Sequence, residues 1–277
     1  MNNNRSRAHF AILILLLMPL AGVVARQADQ AGGIELFPAR AFVRSFVADG
    51  TAHRFGVEKA FEQNEVLGSI GGVLPVAELH VLAVPVQLSL GASAHMTLDP
   101  RERIAVISSE YYVDFFMIDM LWSERLFTRV GMGHTSHHLG DNGAAALQNG
   151  TVLDYSRDYV QAVGGYDDGT VRVYAGANYA YGFVIGTPLQ KPWLLTVGGE
   201  ATLVRFSDEL SAVAAADIKL RQESGFGSTQ RFRAGMQFER GGRIVRLALT
   251  WKTGLDDRGQ FYQQRRSSLS AGVFVDL

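Results

Sequence analysis

Apolar and polar residues alternate with a period of two along most of this chain. Between residues 231 and 239 one side reads Phe232, Ala234, Met236, Phe238 and the other Arg231, Arg233, Gly235, Gln237, Glu239. Residues 243–253 repeat the pattern, with Val245, Leu247, Leu249 and Trp251 against Arg246, Ala248, Thr250 and Lys252. So do 171–183, where Val171 to Phe183 alternate with Arg172, Tyr174, Gly176, Asn178 and Gly182, and 212–221, where Ala212 to Leu220 alternate with Asp217, Lys219 and Arg221. Successive side chains of a β-strand leave opposite faces, so each run predicts a strand with one apolar and one polar or glycine face. Strands of about 9–11 residues of this kind are what a transmembrane barrel needs, with lipid outside and a hydrated lumen inside. A soluble β-sandwich also alternates. Three features favour the barrel: strand length, charges in mid-strand, and aromatics (Tyr179, Tyr181, Phe183, Trp193, Trp251) near strand ends.

The count of strands follows. The runs fall at about 40–48, 53–62, 80–96, 104–118, 125–136, 152–164, 170–183, 193–206, 211–222, 229–239, 243–253 and 266–277. Residues 67–79 form a further segment that the count does not need. Single-chain bacterial barrels have an even number of strands, and these runs make about 12. The predicted fold is therefore all-β, a transmembrane antiparallel up-and-down β-barrel of 12 strands. Both termini are then periplasmic, and the fifth strand runs outward into an external loop at 137–151. The final stripe Leu269, Ala271, Val273, Val275, Leu277 is of the kind that barrel-assembly machinery recognises during insertion.

The N-terminus supports export. Arg5 and Arg7 precede the apolar run Phe10–Leu20, and Val23, Val24 and Ala25 form a small-residue cleavage site, as in a secretory signal peptide. The apolar run is shorter than the roughly 17–25 residues of a spanning helix. The expected organisation is a signal peptide at 1–25, a periplasmic lead-in at 26–36, a barrel at 37–277, and the bacterial outer membrane as location. Composition agrees: cysteine is absent, charged residues are 19% of the chain, and the net charge of −1 gives no basic footprint for nucleic acid. Lumen charges of both signs (Arg172, Arg231, Arg233, Arg246, Lys252 with Glu200, Asp217, Glu239) predict a filled interior rather than an open pore.

One cluster carries chemistry. The segment Gly131-Met-Gly-His134-Thr-Ser136-His-His138-Leu-Gly140-Asp141-Asn142 closes the fifth strand. His134 and Ser136 are two apart and share a face with Leu126, Val130 and Met132, the lipid face. A serine hydroxyl becomes a nucleophile when a neighbouring imidazole takes its proton, and a third group orients that base. Ser136 is the candidate nucleophile and His134 the candidate base. Glu110 or Asp114 on the preceding strand, or Asp154 or Asp158 on the following one, are candidates for the third member. His138, Gly140 and Asp141 are expected to shape the exit into the loop. A metal site from His134, His138 and Asp141 would need the strand to turn after Ser136, because residues four apart on a strand are about 13 Å apart; no metal ligands are assigned.

The Gly133-His134-Thr-Ser136 run resembles the His-x-Ser signature of outer-membrane phospholipase A and the outer-membrane lipid A deacylase, and Tyr155-Ser-Arg-Asp-Tyr159 resembles the stretch that follows it in the phospholipase. That resemblance implies an acyl-ester hydrolase acting on outer-membrane lipids at the outer leaflet, with calcium as a cofactor by analogy and a homodimer as a partner state. His137 stands where those families carry Asn, and Val160 falls where the phospholipase carries its orienting Asn. The longer run His134-x-Ser136-x-His138-Leu139-Gly140-Asp141 resembles the hallmark of an uncharacterised outer-membrane family that reads roughly His-x-Ser-Ser-His-Leu-Gly-Asp-Glu. Asp99-Pro100-Arg101 fits that family too. This resemblance implies a barrel without implying an activity. The alternative to a hydrolase is a non-catalytic barrel, either a structural envelope protein or a small-solute channel.

Overall fold

The computed structural model describes residues 33–102, 105–140, 142–147, 152–183 and 191–277. The expected signal peptide, most of the expected lead-in, and Asp141 lie outside the described residues. The strands in chain order are β1 (Glu35–Leu36), β2 (Phe55–Ala60), β3 (Val66–Val81), β4 (Val84–Asp99), β5 (Ala105–Leu121), β6 (Leu126–Leu139), β7 (Tyr155–Asp167), β8 (Val171–Phe183), β9 (Trp193–Arg205), β10 (Leu210–Arg221), β11 (Gly227–Arg240), β12 (Arg243–Gly254) and β13 (Ser268–Asp276). Each of β2 to β13 pairs antiparallel with its chain neighbours, and β13 returns to β2, giving a closed 12-stranded barrel. β1 lies outside that count; it pairs with β3 at Glu78 and Ala77, along the edge that the short β2 leaves uncovered.

The number of strands agrees with the sequence reading, but one of its members does not. Residues 40–48 form no strand; they run inside the barrel. The segment 67–79, which the count set aside, belongs to β3. The physical reason lies in the side chains of 40–48. Val43, Phe46, Val47 and Ala48 are all buried and do not alternate. They therefore suit an enclosed segment rather than a strand with one face on lipid. Phe46 stacks on Tyr174 at 3.7 Å between ring centroids, within a cluster of Val43, Phe127, Val163 and Tyr174.

A chain running without strand partners needs other groups for its backbone N–H and C=O. Lumen side chains supply them. Gln87 accepts from the Phe42 amide at 2.8 Å and donates to the Arg40 carbonyl at 2.9 Å. Arg129 donates to the Val43 carbonyl at 2.7 Å, Arg172 to the carbonyls of Arg44 and Ser45 at 3.0 Å, and Arg233 to the Val47 carbonyl at 2.7 Å. Glu200 accepts from the Val47 amide at 2.7 Å. Of the inward charges expected to plug the barrel, Arg172, Arg233 and Glu200 thus hold an internal segment in place, and Arg172 also pairs with Glu200. Other lumen charges pair likewise, as Arg129 does with Asp119 and Arg246 with Asp276.

The opposite face of the wall is apolar. Val171, Val173, Leu195, Val197, Leu247, Leu249, Trp251, Leu269 and Val273 are all exposed on the outside, where a membrane barrel meets lipid. Aromatic pairs mark its upper level, with Tyr179 against Trp193 at 4.9 Å and Phe232 on Trp251 at 5.3 Å.

Candidate functional site

Burial along β6 alternates without a break from Leu126 to His137. Phe127, Arg129, Gly131, Gly133, Thr135 and His137 face the lumen, while Val130, Met132, His134 and Ser136 face outward. The strand does not turn after Ser136. It continues through His138 to Leu139, so His138 belongs to the outward row of the strand and not to the loop, contrary to expectation. Gly140 does open the exit, its amide donating to the Ile107 carbonyl at 2.9 Å; a Cβ there would lie 1.9 Å from the Val106 carbonyl oxygen. With the strand straight, His134 and His138 stay about 13 Å apart along the backbone, too far for one ion. Among the described residues no group of three His, Cys, Asp or Glu could hold a metal.

The register decides which carboxylate meets His134. β7 sets Asp158 directly opposite His134 and Ser156 opposite Ser136. The Asp158 Oδ1 lies 2.7 Å from His134 Nδ1. Side-chain exposures of 33% for His134 and 46% for Asp158 leave the pair open to whatever surrounds the barrel. On its other side Asp158 faces Gly182 of β8. A Cβ at Gly182 would come within 2.7 Å of Asp158 Oδ2, so glycine makes the room in which the carboxylate lies. Ser136 is bracketed on its own strand by two imidazoles, and its Oγ is 3.3 Å from His138 Nε2. Tyr111 of β5, opposite Ser136, packs its ring edge-on to His138 at 5.7 Å.

The other three candidates for the third member are not brought to His134. Glu110 and Asp114 are buried on the lumen face of β5, across the wall, because they have the same parity as inward Tyr112 and not that of outward Tyr111 and Val113. Asp154 precedes β7 and is exposed beyond the sheet.

Two groupings escaped the sequence reading. His137 faces inward, accepts the Gly259 amide on Nδ1 at 2.6 Å and hence carries its proton on Nε2, which donates to Thr135 Oγ1 at 2.8 Å. Gln260 donates to the carbonyls of His137 and Leu153 at 2.7 and 2.6 Å. His137 therefore pins the β12–β13 connection under the end of the motif strand, a role that only its parity could have suggested. Within that connection burial disfavours the charged form of Asp256, but Arg258 and Lys252 outweigh it and hold the carboxyl well below the usual carboxylate range. Asp257 is held low in the same way, by Lys252, Arg231 and Arg221 against the effect of burial. The second grouping is Ser93, His53 and Asp114 in the lumen, with His53 Nδ1 2.9 Å from Ser93 Oγ and Nε2 2.9 Å from Asp114. His53 and His95 both bond Ser93. Nothing in the sequence marks this set, because His53 comes from the connection just before β2 and the others from β4 and β5.

The model of a family described as "Protein of unknown function (DUF1207)" matches residues 47–274. The chain belongs to that family. No curated protein matches it. Among solved structures it is similar to the outer membrane phospholipase A of Escherichia coli, at 12% identity, 91% of this chain, 95% of that one and a TM-score of 0.51. It is also similar to the outer membrane phospholipase dimer with bound calcium of Salmonella typhi, at 12% identity, 91% and 94% coverage and a TM-score of 0.56. At this identity the family member shares the barrel fold of those proteins.

Proposed function

We propose that this protein is an outer-membrane barrel that hydrolyses acyl esters of phospholipid or lipid A at its outward face. Ser136 is the nucleophile, His134 the general base and Asp158 the group that orients it. The observation that carries this reading is the 2.7 Å contact of His134 Nδ1 with Asp158, placed on the lipid face one residue pair away from Ser136. A carboxylate on Nδ1 fixes the tautomer, leaves Nε2 as the proton acceptor and stabilises the imidazolium that forms. Ser136 Oγ then attacks the ester carbonyl carbon while its proton passes to His134. Collapse of the adduct expels the alcohol, which takes that proton back. Water, deprotonated by His134, releases the fatty acid and restores Ser136. The apolar exterior supports delivery of acyl chains from the bilayer, and the apolar stripe of β13 supports insertion by barrel-assembly machinery.

The Salmonella relative is a dimer with bound calcium, and a homodimer here is part of the proposal. The described residues do not fit a calcium site within one chain. Calcium takes about 6–8 oxygens, no three His, Cys, Asp or Glu among the described residues are grouped to hold a metal, and Asp158 is committed to His134. No step is routed through the ion.

One observation favours a non-catalytic rim: the hydrogen bond that Ser136 makes is to His138. Acyl-ester release by refolded protein separates the two. Wild type is expected to release fatty acid from phospholipid or lipid A at least about 10³-fold faster than Ser136→Ala. Equal rates on both lipids sink the hydrolase reading.

A further inference from the structure

We infer that His138 is the donor that stabilises the oxyanion of this reaction, an inference that rests on the hydrolase reading above. A tetrahedral adduct at Ser136 places negative charge on the former carbonyl oxygen, and its formation is fast only where a hydrogen-bond donor already points at that oxygen. Many hydrolases use backbone N–H groups for this. Here they are committed elsewhere: residues 134–137 pair with β5 on one side and β7 on the other, so their amides lie in the sheet plane and bond the ladder. The donor must come from a side chain on the outward face.

His138 meets the requirement. Its Nε2 is 3.3 Å from Ser136 Oγ, and its ring rests against the edge of Tyr111. The contact also shows that an imidazole can bridge the two-residue step on this face, and His134 stands at the same step on the other side of Ser136. The two imidazoles differ in one respect that sets their roles. His134 has a carboxylate on Nδ1, which fixes the orientation of the ring and suits a base. The hydrogen bond of His138 runs to the nucleophile itself. With His138 in its Nε2–H tautomer, Ser136 Oγ accepts from that N–H at rest and can direct its own proton to His134. As the carbon–oxygen bond forms, Oγ loses its lone pair to the carbonyl carbon and the His138 N–H turns to the new oxyanion. No proton leaves His138 in this step, so the balance of protons between Ser136 and His134 is unchanged.

The test uses full-length protein refolded in mixed micelles of phospholipid, with folding checked by heat-modifiable migration. His138→Phe keeps a planar ring without a donor, and His138→Gln keeps an N–H donor that cannot act as a base. His138→Phe is expected to lower kcat by about 10²–10³-fold with KM nearly unchanged, and His138→Gln to recover most of that loss. His134→Gln is expected to be as slow as Ser136→Ala. Wild-type kcat in folded His138→Phe, with Ser136→Ala inactive, overturns the oxyanion role and leaves the hydrolase standing. Loss in both His138 variants with activity kept in His134→Gln overturns it too, since His138 would then be the base. Wild type no faster than Ser136→Ala overturns both readings.

Discussion

At the scale of single residues the period of two carried most of the information. It placed His134 and Ser136 together on the outward face, and the structure shows them there. It held an unused signal as well: Tyr111, Val113 and Phe115 form an apolar stripe, so Glu110 and Asp114 between them had to face the lumen. The choice of Asp158 over its neighbours was not legible, because it depends on the register between β6 and β7, and a shift of one residue would have turned it inward. Gly182 was equally silent, since its role exists only across the β7–β8 pair. Two outcomes follow at this scale. Asp158→Ala is expected to lower kcat by about 10²–10⁴-fold without changing the folded fraction, as loss of the orienting group does in triads. Gly182→Ala, which places a methyl against the carboxylate, is expected to cost about 10-fold or more through displacement of Asp158 alone. Steady-state rates on phospholipid micelles measure both, and an unaltered kcat in either variant contradicts the assigned geometry.

At the scale of elements, turn chemistry sets which strand boundaries the sequence marks. The β11–β12 turn uses Gly241 and Gly242 at φ of 62° and 86°, the residues that a two-residue hairpin turn favours, and both strands were found at nearly their observed bounds. The β3–β4 turn uses Leu82 and Ala83 at φ of 49° and 67°. No turn signal exists there, so alternation alone puts a strand start near 80 and does not require residues 67–79, which the structure places in β3. Residues 40–48 then filled the vacancy because they are apolar enough for a strand; only their enclosure by lumen side chains distinguishes them. Left-handed backbone costs a non-glycine residue roughly 1–2 kcal/mol. Leu82→Asn with Ala83→Gly is therefore expected to stabilise the barrel by about 1 kcal/mol. Urea unfolding in lipid vesicles reads this as a higher midpoint at unchanged slope, and a lower midpoint would show that the turn is not strained.

At the scale of the whole molecule the barrel stands as an apolar wall around a polar, filled interior. The wall and the opposite-sign lumen charges were legible from alternation and composition, whereas the internal segment was not, because its contacts are made by residues far apart in sequence. Its filling disfavours a free channel. Stability should follow the carboxylates of the β12–β13 connection. Asp256 and Asp257 have folded pKa values held below the unfolded ones, so their contribution is complete above the ordinary carboxylate range near 4 and is lost as pH falls through the lower folded values. Unfolding midpoints are expected to stay level from pH 7 to about 5 and to drop below that; a midpoint that rises on acidification contradicts the ion-pair account. The central claim, that Ser136 on the lipid face is an activated nucleophile, is tested most directly by a fluorophosphonate lipid analogue in mixed micelles, followed by peptide mass spectrometry. The account predicts a stoichiometric adduct on Ser136 that is lost in His134→Ala. No adduct, or one on another serine such as lumenal Ser93, would contradict it.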